Sequence, residues 1–250
     1  ALGHLDAAET SCKQALTYVE GLDVPQYLGL IYNNWGIVCQ EKHDLERALE
    51  QYALAEVCFK QVQNRRGIAH VANNRGNVFH TLKIYSEAEE FLRKALTIYQ
   101  ELGDKLYTAS TQLNLGSMMF DQGQKDQALQ LLIASEDEIH HLRNPLMLAR
   151  LHNNRGVILA ACNLTSPAEV AFQEAIQLYV NIGNSVYAID TLQNYIHVLL
   201  DIQEVEEAAQ QLAYAHEWLN KLTAPPSWLV EENFLLTNRV EQMQRTQFPH

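Results

Sequence analysis

The chain has 250 residues, with 18 Lys and Arg against 30 Asp and Glu, and a formal charge of −12. An acidic chain without a basic block lacks the cations that supply most of the affinity for nucleic-acid phosphates, and it suits an anionic membrane surface no better. Hydrophobic residues make up 47%, enough for a core, and only 11 glycines and 6 prolines predict few turns and long elements, against all-β sandwiches and Gly-rich nucleotide folds.

Four rows of residues recur at a spacing of 40. They are Ala8, Ala48, Ala88, Ala128, Ala168 and Ala208; Gly36, Gly76, Gly116 and Gly156, with Ile196 next; Asn34, Asn74, Asn114, Asn154 and Asn194; and Ala15, Ala55, Ala95, Ser135, Ala175 and Ala215. In chain order the rows give a half unit at 1–22 and full units at 23–63, 64–103, 104–143, 144–183 and 184–222. A linker at 223–226 and a final helix at 227–245 follow. Each unit reads as two helices. In the third full unit, Leu106, Ala109, Leu113, Gly116 and Met119 recur at helical spacing, and Asp121-Gln122-Gly123-Gln124 breaks the pattern. The second helix then carries Ala128, Leu131, Leu132 and Ser135.

Ser86–Glu89 and Ser166–Glu169 read as capping boxes that open second helices, and Asp104 and Asn144-Pro145 mark first-helix starts. Helices are expected to end at Gly21, Asn64, Gly103, Asn144 and Gly183, residues that tolerate the left-handed conformation. The glycine row is expected to face the alanine row across a tight helical hairpin. The chain begins inside a unit, which predicts a domain of a longer protein. Thr223-Ala224-Pro225-Pro226 breaks the period. Ser227 then opens a helix with Trp228, Leu229, Phe234, Leu235, Val240 and Met243, expected to sit where a first helix would and to cap the array. Its apolar residues leave homodimerisation open.

The pattern Gly76, Phe79, Ala88, Leu92, Ala95, repeated as Gly156, Leu159, Ala168, Phe172, Ala175, resembles the tetratricopeptide repeat. The run Ala95–Asp104 resembles its longer variety of about 40 residues, as in kinesin light chains, spindle-orientation scaffolds, bacterial pheromone receptors and sensor domains of bacterial regulators. The resemblance spans residues 1–222. It implies an all-α, right-handed superhelical solenoid of antiparallel helix pairs, whose first helices line a concave groove. It departs from the family pattern at Ile196, at Ser135, and at Trp35, Arg75, Arg155 and Tyr195, where leucine is usual.

The resemblance implies that the asparagine row faces the groove, where an amide can pair with both the C=O and the N–H of a peptide backbone. The alternative is that each asparagine bonds a neighbouring helix. The candidate peptide-binding residues are Asn34, Asn74, Asn114, Asn154, Asn194, Asn73, Asn153, Asn77, His70, His80, Phe120, Arg150 and His197, and the groove register also holds Leu30, Ile37, Leu113, Gln193 and Leu200. Side-chain pockets are expected near Trp35, His80, Phe120 and His197. Arg75 and Arg155 are either cationic anchors for a ligand or partners of acids on adjacent helices, the latter being favoured. The lysines of the chaperone-tail clamp are missing from this register.

No stretch approaches the roughly 18 apolar residues of a membrane span, and Ala1–Asp6 lacks the marks of a signal peptide. Cys12, Cys39, Cys58 and Cys162 form no CxxC pair; register makes them core fillers and the cytosol the expected compartment. The ten histidines form no HExxH, and no phosphate loop, dinucleotide motif or nucleophile elbow occurs. The expectation is a non-catalytic scaffold, without metal or cofactor, that binds a peptide or protein segment. The alternative is the sensor domain of a larger bacterial signalling ATPase or transcription regulator.

Overall fold

The computed structural model describes residues 2–247; Ala1, counted in the first half unit, and residues 248–250 lie outside the described residues. Among the described residues there are twelve helices and no strand. They run α1 (Leu2–Val19), α2 (Pro25–Glu41), α3 (Leu45–Gln61), α4 (Arg65–Thr81), α5 (Tyr85–Glu101), α6 (Lys105–Asp121), α7 (Lys125–Leu142), α8 (Pro145–Ala161), α9 (Thr165–Asn181), α10 (Ser185–Asp201), α11 (Val205–Lys221) and α12 (Ser227–Gln247). The chain divides into two compact units, Ala1–Glu138 and Ile139–His250.

The junctions explain the helix boundaries. The residue with positive φ is His43, Gln63, Lys83, Gly103, Gly123, Arg143, Asn163, Gly183 or Gln203 in turn. At these positions other than Arg143, the N–H of the next residue reaches back to a carbonyl five positions earlier, as in Asp44 N to Cys39 O at 2.9 Å and Asn64 N to Phe59 O at 2.9 Å. That is the Schellman turn, which satisfies carbonyls at a helix end.

This corrects two expectations. Asn64 and Asn144 are not left-handed; the residues before them are. The two asparagines instead accept from Gly67 N and Met147 N as N-caps, as Asp104 and Asn184 do from Tyr107 N and Tyr187 N. The capping boxes are also absent. Ile84 and Leu164 are the N-cap residues of α5 and α9, with no side-chain cap, and Ser86 and Ser166 lie inside the first turn. The preceding Schellman turn fixes the start of the second helix before the serine is reached.

The small rows fill the hairpins. Ala48, Ala88, Ala128, Ala168 and Ala208 are fully buried, as are Ala55, Ala95, Ser135, Ala175 and Ala215. The glycine row mainly receives the large side chain four residues beyond each alanine. A Cβ on Gly36 would lie 2.5 Å from the Tyr52 ring, on Gly76 2.6 Å from Leu92 Cγ, and on Gly156 2.8 Å from the Phe172 ring. At Gly116 the nearest atom is Ala128 O at 3.5 Å, an ordinary contact.

The first unit packs Cys39, Tyr52, Phe59, Val71 and Val78 together. In the second unit α12 lies against α10 and α11, as a first helix lies against the pair before it. Leu229, Leu236 and Val240 join Ile189, Leu192, Ile196 and Leu212 in one core. Cys39 and Cys58 are core residues and Cys12 is half-buried, but Cys162 is exposed at the end of α8, so it is not the core filler that register suggested.

Candidate functional site

In the first unit α2, α4 and α6 lie side by side, because each pair of helices stacks its first helix on the next. The residues that recur at helical spacing on these three helices form one polar face. The doublets Asn33-Asn34 and Asn73-Asn74 and the single Asn114 stand at its centre. Asn74 Nδ2 donates to Asn33 Oδ1 at 3.1 Å, and Asn114 Nδ2 donates to Asn73 Oδ1 at 3.1 Å. The Thr111 hydroxyl is shared between Asn73 Oδ1 at 3.2 Å and the Tyr107 carbonyl at 2.7 Å. Each rung therefore joins one member of a doublet to the asparagine on the next first helix, the bond to a neighbouring helix that the sequence left open. An amide has one acceptor and two donors, so a rung still turns hydrogen-bonding capacity outward.

Around these rungs the other sequence-predicted residues fall into place unevenly. Asn34 is exposed, and Asn77, His80 and Phe120 are half-buried. His80 Nε2 lies 2.7 Å from Asp121 Oδ2. His70 is drawn inward: its Nδ1 is 2.8 Å from the Tyr99 hydroxyl, its ring meets Tyr107 edge-on at 4.4 Å, and burial lowers its pKa. Tyr27, Leu30 and Ile37 form an apolar stripe on α2, 62%, 45% and 40% exposed. Tyr27 stands one turn before Leu30 and belongs to the same stripe, outside the groove register expected from the repeat.

Several expectations about this face are corrected. Leu113 is fully buried, packed into the core where Asn33 and Asn73 carry amides. Trp35 forms no groove pocket; it packs into the core, with Lys13 and Arg47 over its ring at 5.7 and 5.9 Å. Arg75 pairs with Glu56 of α3 at 2.8 Å and stacks on Phe91 at 4.1 Å, which fits the structural role favoured for it.

The same register in the second unit has a different cover. Asn153, Asn154, Asn194 and Arg150 are half-buried, and Asn194 Nδ2 donates to Asn153 Oδ1 at 3.3 Å. Gln193 and Leu200, assigned to the groove by register, are buried. Gln193 Nε2 donates to the Leu229 carbonyl of α12 at 3.0 Å. His197 Nε2 lies 2.6 Å from Glu232, and Arg239 reaches Asp201 at 2.5 Å. Burial and then the Glu232 carboxylate push Asp190 up to about 6. Thus α12 engages the C-terminal part of the α10 face.

Among the described residues no group of three or more His, Cys, Asp or Glu is arranged to hold a metal ion. No described helix is long and apolar enough to cross a membrane.

Residues 67–136 match the sequence model of the tetratricopeptide repeat. No curated protein matches the chain in sequence. Among solved structures it is similar to NprR in complex with its cognate peptide NprX, at 18% identity and a TM-score of 0.71, over 97% of this chain and 68% of that one. It is also similar to a Rap protein complexed with Competence and Sporulation Factor, at 14% identity and a TM-score of 0.75, over 96% of this chain but only 62% of that one. A third is BtubC (BKLC) from P. vanneervenii, at 15% identity and a TM-score of 0.64, over 98% of this chain and 93% of that one. The fold is that of the tetratricopeptide-repeat solenoids.

Proposed function

We propose that this chain is a non-catalytic binding module that holds a peptide or a protein segment on the face of α2, α4 and α6. The observation that carries this reading is the pair of amide rungs, Asn33–Asn74 and Asn73–Asn114, set beside an exposed apolar stripe on α2. The rungs orient the amides, so a ligand backbone meets donors and acceptors that lose little freedom on binding. Leu30, Ile37 and Phe120 offer apolar contact, and His80 with Asp121 offers a polar edge. Arg150, Asn153, Asn154, Asn194 and His197 hold the equivalent repeat positions within the second unit. Two of the similar structures, NprR with NprX and Rap with Competence and Sporulation Factor, hold such ligands and support the reading by analogy.

A second reading makes the module the sensor part of a larger regulator. The chain spans 68% of NprR and 62% of the Rap protein, which support this reading by analogy, against 93% of BtubC.

The test is a peptide selection from a random display library, followed by calorimetry of the best binder. The double variant Asn74→Ala, Asn114→Ala is expected to bind at least about tenfold more weakly while keeping a cooperative thermal melt. Unchanged affinity in a folded double variant would exclude these amides from the contact. Loss of the fold would assign the row to helix packing.

A further inference from the structure

We infer that the outer face of α12 is an interface for a second copy of this chain, paired antiparallel, α12 on α12, about a two-fold axis that passes between Phe234 and Leu235.

The first argument is exposure. Leu229, Leu236 and Val240 turn the inner side of α12 into the core and are buried. On the outer side Trp228, Val230, Phe234 and Leu235 are 36%, 41%, 65% and 59% exposed. Phe234 and Leu235 are neighbours, and Trp228 stands two turns before Leu235 on the same unbroken helix. Large apolar side chains grouped in this way mark a contact surface, whereas scattered ones do not.

The second argument selects the occupant. A two-fold interface sets one patch against itself, so residues equally far from the axis on opposite sides meet. Measured from the midpoint between Phe234 and Leu235, Glu231 and Asn238 are equally far, and so are Trp228 and Glu241. Each of these pairs joins a carboxylate, which only accepts, to a donor: the Asn238 amide in one and the Trp228 indole N–H in the other. All four residues are exposed. Glu231 and Asn238 make no hydrogen bond or ion pair with the described residues, and Glu241 holds only the exposed Arg245, at 3.3 Å. In the antiparallel pair Phe234 meets the partner's Phe234 and Leu235 the partner's Leu235 at the centre. Glu231 then meets the partner's Asn238 on one flank, and Asn238 the partner's Glu231 on the other. An in-register parallel pair would instead set carboxylate against carboxylate at 231 and at 241, which costs free energy. The apolar centre and the donor–acceptor flanks thus fit a second copy of the same helix in one direction only.

The third argument is size. A helix of 21 residues is about 31 Å long and about 10 Å wide, so one helix on another covers a footprint of about 300 Å² per copy. A standard interface buries roughly 800 Å² per partner. The dimer is therefore a reversible one, with its affinity concentrated at the central Phe234 and Leu235.

The experiment is sedimentation equilibrium of the 250-residue chain. Reductant keeps the exposed Cys162 from forming a disulfide, and roughly 0.15 M salt screens the charge of −12. The expected result is a monomer–dimer equilibrium with a dissociation constant of about 1–100 µM. Phe234→Ser with Leu235→Ser is expected to weaken it at least about tenfold. Asn238→Glu, which sets a carboxylate opposite the partner's Glu231 on both flanks, is expected to weaken it at least about tenfold as well. Glu231→Lys together with Asn238→Glu is expected to return it to within about threefold of the unmodified chain, because each new lysine meets a carboxylate of the other copy. Leu54→Ser with Val57→Ser, on the exposed side of α3, is expected to change it by less than about twofold. A chain that stays monomeric at about 500 µM overturns the inference. So does a dimer indifferent to Phe234→Ser with Leu235→Ser, an Asn238→Glu variant that dimerises normally, or an Asn238→Glu defect that persists after Glu231→Lys is added. The behaviour of the unmodified chain decides whether this dimer exists even if a variant fails to fold.

Discussion

Residue by residue, the repeat tolerates change only where its packing allows. Gly36 and Gly116 occupy the same register, yet an added Cβ meets Tyr52 at 2.5 Å in one and nothing nearer than 3.5 Å in the other. Gly36→Ala is therefore expected to destabilise the chain by about 1–3 kcal/mol through overpacking. Gly116→Ala is expected to stabilise it by about 0.5–1 kcal/mol, since alanine is the better helix former. Thermal melts of the two variants check the pair, and equal losses would contradict it. Titratable residues give a second test. Ion pairs with Lys13, Lys42 and Arg47 hold the Glu9 carboxyl at about 2. For Glu56, burial would raise the carboxyl, but Lys94 and Lys60 outweigh it and hold it at about 2. Both are depressed below the unfolded value near 4.3, so their stabilisation is present above that pH and is lost as pH falls toward 2. Asp190 runs the other way. Its pKa is raised to about 6, so the folded state binds the extra proton and stability falls as pH rises through 4 to 6. Asp190→Asn is expected to raise the melting temperature at pH 8 and to change it little at pH 4. A gain at pH 4 as large as that at pH 8 would exclude this cause.

Helix by helix, the boundaries follow from turn chemistry more than from propensity. First helices after the α2–α3 pair start at Asn64, Asp104, Asn144 and Asn184, whose side chains all accept backbone N–H groups. Second helices α5, α9 and α11 start without such a bond. Asn64→Ala and Asn144→Ala are expected to cost about 1 kcal/mol each, and Ser86→Ala and Ser166→Ala close to nothing. Urea titration of the four variants separates the two classes; a cost at the serines would restore the capping boxes. The helix pairs were legible in sequence because a single period of 40 carried the alanine, glycine and asparagine rows without insertion. The caps were partly misplaced because asparagine serves both the left-handed turn and the N-cap, and only backbone geometry at Gln63 and Arg143 separates those roles. The relation of α12 to α10 was only half legible. The stripe Leu229, Leu236, Val240 announced a packed helix, whereas the contacts of Gln193, His197 and Asp201 with it belong to three-dimensional neighbours.

At the scale of the whole chain, the fold class and the absence of a compact enzyme motif were open to the sequence, and the chemistry of the face was open only in part. The row Asn34, Asn74, Asn114 lies on the face that carries the amide rungs. That Asn74 and Asn114 spend donors on Asn33 and Asn73 required the helices to be placed beside one another. The one available signal was the doubling of asparagine at 33–34, 73–74 and 153–154, which lets one helix pair with the first helix on either side, as Asn74 does with Asn33 and Asn73 with Asn114. The net charge of −12 opposes nucleic acid as a partner but says little of a face whose centre is neutral amide. The central claim is that this face, and not the outer side of the second helices, holds the ligand. The direct measurement is a nuclear magnetic resonance titration of the 15N-labelled chain with a display-selected peptide. The account predicts that the side-chain NH2 signals of Asn33, Asn34 and Asn73 shift with the titration and saturate together. Shifts confined to exposed residues of α3 such as Leu54 and Val57, with those three amides unmoved, would contradict it.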